Sequence, residues 1–279
     1  MTKLKKLSNG FEYLEVKNAS ASAKIALSGA HIFEYEREGF ENLLWLSDTS
    51  EFKLGSSIRG GIPICWPAFG ANNPSLAQHG FARTSLFTLV NATDIDANTT
   101  ELLLRLSHSD ETLALWNHKF ELNLKIGISD ELLLEMTTIN RDDKEFKITQ
   151  AFHTYFSISD ISDVSVGGLD AKPCFDALSG ETKVQDGDIY FRGEFDSVYQ
   201  EVDKDIVLKD KNRVVKISNE GSSSVVVWNP WIEKCARMSA MREDAYKEFV
   251  CVESANAYED FKILKPGESH TLKSAFTTI

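Results

Sequence analysis

Cysteine, basic charge and long apolar runs are all scarce in this chain, and each scarcity closes off a class of function. Four cysteines occur in 279 residues: Cys65, Cys174, Cys235 and Cys251, far apart and with no CxxC spacing. That pattern suits reduced thiols rather than a disulfide framework or a zinc site. Lysine and arginine number 30 against 42 aspartates and glutamates, a net charge of −12, which argues against nucleic acid as a partner. No apolar run approaches the roughly 20 residues of a membrane span. The opening MTKLKKLSNGFEYLEV has lysines but no apolar stretch behind them, so it does not read as a secretory signal and the expected location is cytoplasmic. Internal repeats and low-complexity tracts are also missing, and convincing helix is scarce.

What remains is alternation. FELNLKIGI, Phe120 to Ile128, places Phe120, Leu122, Leu124, Ile126 and Ile128 on one face of a strand and Glu121, Asn123 and Lys125 on the other. Leu102–Leu106 and Leu132–Met136 are neighbouring strand candidates, set apart by Asn, Asp and Ser clusters. Shorter runs follow the same rule at Phe11–Val16, Ala23–Leu27, Val214–Ile217, Val225–Trp228 and Thr271–Phe276, the last preceded by the turn signal Leu264-Lys265-Pro266-Gly267. One short helix is expected at Ala240–Tyr246. With 42% hydrophobic and 26% charged residues, the pattern predicts an all-β, mainly antiparallel sandwich forming a single domain over residues 1–279.

Three segments depart from solvated polar faces. RGGIPICWPAFG, Arg59 to Gly70, and QHGFART, Gln78 to Thr84, gather two arginines, a histidine, four glycines and two prolines. Such a rigid connection can hold Arg59, His79 and Arg83 together, and arginine grips phosphate or carboxylate with a planar fork. It also fits a structural crossover whose arginines pair with acidic neighbours. FKITQAFHTYFSI, Phe146 to Ile158, as a strand sends Phe146, Ile148, Phe152 and Phe156 to one side and Thr149, Ala151, His153 and Tyr155 to the other. That small, polar face leaves room around His153, although a lone strand histidine is also a common core residue. EFVCVESANA, Glu248 to Ala257, puts Val250 and Val252 on one face and Phe249, Cys251 and Glu253 on the other. A carboxylate there is costly unless it is paired or working as a base.

Taken in order, SIRGGIPICWPAFG, QHGFART, AFHTYF, FDSVY, VWNPW and VCVESA resemble the aldose 1-epimerase family, and within it the hexose-6-phosphate mutarotases. The shorter SGAHIFEY, Ser28 to Tyr35, is also similar. The resemblance implies a galactose mutarotase-like β-supersandwich that interconverts the α and β anomers of a hexose 6-phosphate, with glucose 6-phosphate the expected substrate. It also implies His153 as catalytic acid, Glu253 as catalytic base and His79 as a supporting histidine. Asp196 matches a contact to sugar hydroxyls, and Arg59 and Arg83 match arginines of the phosphate-specific branch. The residue after Asp196, basic in many relatives, is Ser197 here, a departure expected to alter substrate contacts. No cofactor or metal is implied, and the expected assembly is a monomer.

Two rival readings stay open on the residues. His79, His153 and Glu253 could form a two-histidine, one-carboxylate metal site. The chain could also be a non-catalytic sugar-phosphate-binding protein on the same fold.

Overall fold

Alternation builds the sheets. In the computed structural model, which describes residues 1–71 and 73–279, Phe120–Ile128 forms the expected strand. It pairs with Thr100–Ser107 on one edge and with Glu131–Asn140 on the other. These three belong to a nine-stranded sheet that continues through Ser269–Thr278, Val214–Glu220 and Ile206–Lys209. An eight-stranded sheet faces it. Its order runs Glu181–Val184, Pro173–Asp176, Phe195–Tyr199, Ser224–Asn229, Phe249–Asn256, Gln150–Phe152 and Ile64–Cys65, with Tyr155–Ser157 also paired to Phe249–Asn256. A four-stranded meander, Thr2–Lys6, Glu12–Lys17, Ala21–Ala26 and Ile32–Arg37, and a two-stranded ribbon complete the strands.

The two large sheets bury their facing side chains in one cluster. Leu122, Leu124, Ile126 and Leu134 meet Val225, Val227, Val250 and Val252 there. Each fully buried aliphatic of this kind contributes about 1.5–3 kcal/mol relative to exposure, so the eight-stranded sheet is held from its core side. Its opposite face is thereby released for other uses. Val198, Val226 and Ala255 pack there in one small cluster, and Tyr155, Trp228, Phe249 and Cys251 in another.

Two sequence expectations need correction. Ala240–Tyr246 is not a helix; only the single 3-10 turn Ala245–Lys247 forms there. The α-helices among the described residues are Asp110–Leu115 and Trp231–Arg237. The first carries a capping box, Ser109 accepting from the Thr112 amide and Thr112 accepting from the Ser109 amide. Phe146–Ile158 is likewise three short strands rather than one, Phe146–Ile148, Gln150–Phe152 and Tyr155–Ser157. The first pairs in the separate ribbon with Lys262–Leu264. The division of faces nevertheless holds: Phe146, Ile148, Phe152 and Phe156 all enter the main core.

Candidate active site

On the free face of the eight-stranded sheet lies a cavity of about 390 Å³, and its lining includes Arg59, His79, Arg83, His153, Asp196 and Glu253. All six candidate residues therefore converge on one site.

Strand register explains the central pair. Phe152 stands opposite Ser254 and Tyr155 opposite Cys251. Counting inward from either end leaves His153 directly across from Glu253, with both side chains on the free face. Cross-strand neighbours in an antiparallel pair lie about 4.5–5.5 Å apart at Cβ, and here His153 Nδ1 comes 3.3 Å from Glu253 Oε1. The contact is close but poorly aligned, and neither His153 Nδ1 nor Glu253 Oε2 has another hydrogen-bond partner. The His153 side chain is 12% exposed and that of Glu253 2%.

Burial and neighbouring charge set the electrostatics. Burial pushes the Glu253 carboxyl well above the usual carboxylate range, and the negative charge of Asp196 adds to the effect. Burial drives His153 the other way, well below an ordinary imidazole, helped by His79 and the positive charges of Arg83 and Arg59. His79 falls to about 3, from burial first and then the same two arginines. Its ring orientation is also fixed. The Gly70 amide donates to His79 Nδ1 at 3.2 Å, so the neutral ring carries its proton on Nε2.

Backbone geometry brings the two loop motifs together. Phe81 and Ala82 amides donate to the Trp66 carbonyl at 3.0 and 3.1 Å, and the His79 amide donates to the Gly70 carbonyl at 2.8 Å. Trp66 Nε1 in turn donates to Thr138 Oγ1 at 2.8 Å, which fastens the loop to the nine-stranded sheet. Gly80, at φ +70°, has to be glycine because a Cβ there would lie 2.1 Å from the Trp66 carbonyl oxygen. Gly60, beside Arg59, sits at φ +102° with the same problem against the Trp45 carbonyl, at 2.5 Å.

The arginines do not behave as a structural crossover requires. Among the described residues neither Arg59 nor Arg83 has a carboxylate within ion-pair distance. Arg59 Nη1 donates to the Tyr155 hydroxyl at 3.4 Å, and Arg83 Nη2 to the Gln78 carbonyl at 2.7 Å. Their remaining donors are available to an anion in the cavity.

Tyr155 and Lys234 also line the cavity and were not assigned to a site from the sequence. Tyr155 stacks on His153 with ring centroids 4.9 Å apart and planes 8° apart. Its place beside His153 on the same strand face was the available signal. Lys234, from helix Trp231–Arg237, reaches Glu194 at 2.8 Å and Asp196 at 3.7 Å. Burial raises Asp196, and Lys234 partly offsets that. Nothing in the local pattern singles Lys234 out, because tertiary packing delivers it. Ser197, by contrast, is 1% exposed and lines no part of the cavity. The expectation that it alters substrate contacts is therefore corrected, since strand alternation turns it away from the side that bears Asp196 and Val198.

The candidate donor cluster also differs from the metal triple of the rival reading. Among the described residues it is His153, Cys251 and Glu253, with ligand atoms within 4.8 Å of one another, and His79 is outside it. These three could hold a soft divalent ion, but Arg59 and Arg83 oppose a cation there. Burial also pushes the Cys251 thiol well above its ordinary value, against the thiolate a metal needs.

The two-sheet architecture is that of the galactose mutarotase-like proteins. A protein of that description from Clostridium acetobutylicum superposes with a TM-score of 0.78 at 14% identity, covering all of this chain and 98% of the other. The sequence profile of the aldose 1-epimerase family matches residues 12–277, and the chain belongs to that family. An Escherichia coli relative named "Putative glucose-6-phosphate 1-epimerase" is 37% identical over 270 residues, 94% of this chain and 89% of its own. The crystal structure titled as a "putative mutarotase" from Salmonella typhimurium superposes with a TM-score of 0.92 at 30% identity, covering 99% of this chain and 93% of that one.

Proposed function

We propose that the chain is a glucose-6-phosphate 1-epimerase that interconverts α and β anomers of the hexose phosphate in the cavity around His153 and Glu253, within a single domain spanning residues 1–279. The observation that carries this reading is the pair of arginines without carboxylate partners among the described residues, beside an acid–base pair, in a protein whose net charge is −12. An overall negative field repels an anionic substrate, so leaving two guanidiniums unpaired in one cavity makes sense where they receive an anion. A merely sugar-binding protein would have no use for a carboxyl and an imidazole placed in register.

In this reading Arg59 and Arg83 hold the 6-phosphate at one end of the cavity. Glu253 takes the proton of the C1 hydroxyl while His153 gives a proton to the ring oxygen O5, and the C1–O5 bond breaks to the open aldehyde. Rotation about C1–C2 presents the other carbonyl face, and the two groups reverse roles on closure. His79 Nε2–H donates to substrate oxygen, and Asp196 accepts from sugar hydroxyls. A positioned acid or base each contributes roughly 10²–10⁴-fold. No covalent intermediate, redox change or metal enters these steps. Anomer-exchange NMR with glucose 6-phosphate, galactose 6-phosphate and free glucose tests the proposal. Saturable, enzyme-dependent exchange of a hexose 6-phosphate is expected, and exchange no faster than in buffer would overturn it.

A further inference from the structure

The two arginines are placed to do more than anchor an anion. Arg59 donates to the Tyr155 hydroxyl, and the Tyr155 ring lies flat on the His153 imidazole. The guanidinium therefore sits at the far end of an aromatic plate laid against the proposed acid. Arg83 acts from the opening loop, on the side of His79, whose ring is 5.5 Å from that of His153. The strand Phe249–Asn256 presents Cys251 and Glu253 to the same imidazole, and Asp196, held by Lys234, acts on Glu253 from the next strands. Positive charge thus faces the imidazole and negative charge faces the carboxyl.

While both guanidiniums are bare they favour a neutral His153, and burial with the charge of Asp196 favours a protonated Glu253. That state is idle, because a protonated carboxyl cannot accept the C1 proton. We propose that the substrate's own phosphate arms the pair: by neutralising Arg59 and Arg83 it moves a proton from the Glu253 carboxyl to His153 Nδ1, which lies 3.3 Å from Glu253 Oε1. One O–H bond breaks at Glu253 and one N–H bond forms at His153, with no proton exchanged with solvent. Acid and base appear together, and only under a phosphorylated sugar. Neutralising a nearby charge in a medium of effective dielectric about 20 changes such a balance roughly 10–100-fold. Tyr155 is then a positioning residue that links the anion site to the acid. The inference rests on the reading of this cavity as a hexose-phosphate anomerisation site.

The test supplies the substrate in two pieces, free glucose and inorganic phosphite dianion. Saturating phosphite is expected to raise kcat for glucose about tenfold or more in the wild-type protein. Arg59→Ala is expected to lose the response, and Tyr155→Phe, which keeps the stack but not the hydroxyl contact, to weaken it. In imidazole-¹⁵N-labelled protein the His153 signals are expected to move from neutral to cationic positions on adding phosphite, whether or not glucose turns over. If phosphite leaves both kcat and the His153 signals unchanged while glucose 6-phosphate still requires both arginines, the arginines only anchor and the inference falls. If the arginine variants lose glucose and glucose 6-phosphate equally, the underlying reading of the site falls instead.

Discussion

Replacing Arg59 with alanine separates phosphate recognition from structure and from chemistry. The Arg59 side chain spends one weak contact on Tyr155, at 3.4 Å, and has no carboxylate partner among the described residues, so truncation leaves no buried anion stranded there. What it removes is a charge-assisted bond to the 6-phosphate, worth about 1.5–3 kcal/mol, or roughly 10–150-fold in kcat/KM. Arg83→Ala removes a comparable bond, with Arg83 otherwise tied to the Gln78 carbonyl at 2.7 Å. Arg59→Lys recovers part of the loss, because an ammonium restores charge but not the planar fork. The remaining negative field of the protein adds to the penalty at low salt. The assay is kcat/KM by anomer-exchange NMR for glucose 6-phosphate and free glucose in wild type and each variant. The phosphorylated substrate is expected to suffer the full loss while glucose turnover does not fall. Equal losses on both substrates would refute the phosphate site.

Three further outcomes are expected. Burial and then the charge of Asp196 raise Glu253, so the one proton that the Glu253–His153 pair needs is lost only as pH rises through that raised value, and activity falls there on the alkaline side. Asp196→Asn removes a negative neighbour, and the alkaline limb of the kcat/KM profile is expected to move to lower pH; a shift upward or none would contradict the coupling. Gly80→Ala forces a side chain against the Trp66 carbonyl at positive φ, which costs about 1–3 kcal/mol, visible as a lower Tm in thermal unfolding; an unchanged Tm would contradict the tight fit. Activity is expected to survive dialysis against EDTA in full, whereas loss restored only by added zinc would assign His153, Cys251 and Glu253 to a metal.

Much of this molecule is legible in its sequence, because alternation is a local property. Phe120–Ile128 declares its buried face residue by residue, and the strand holding Glu253 separates Val250 and Val252 from Cys251 and Glu253 in the same way. Register is not local. That His153 falls opposite Glu253 follows from which strands pair and where, information spread over a hundred residues of chain. The break of Phe146–Ile158 into three strands is likewise a consequence of the chain passing from the ribbon to the large sheet. Helix Trp231–Arg237 is too short to announce itself by periodicity, so Lys234 was invisible as a neighbour of Asp196. The order of the loop motifs located the arginines; only the fold reveals that nothing acidic among the described residues claims them.

The central claim is that Glu253 and His153 exchange protons with the C1 hydroxyl and O5. Its most direct test is the rate of glucose 6-phosphate anomer exchange in Glu253→Gln and His153→Asn, measured alongside circular dichroism and thermal unfolding to establish that each variant is folded. Glu253→Gln keeps the side-chain shape and His153→Asn keeps a polar group near the Nδ1 position, while each removes the proton-transfer group, so kcat is expected to fall at least about 10²-fold in both. Near wild-type exchange by either folded variant would contradict the account.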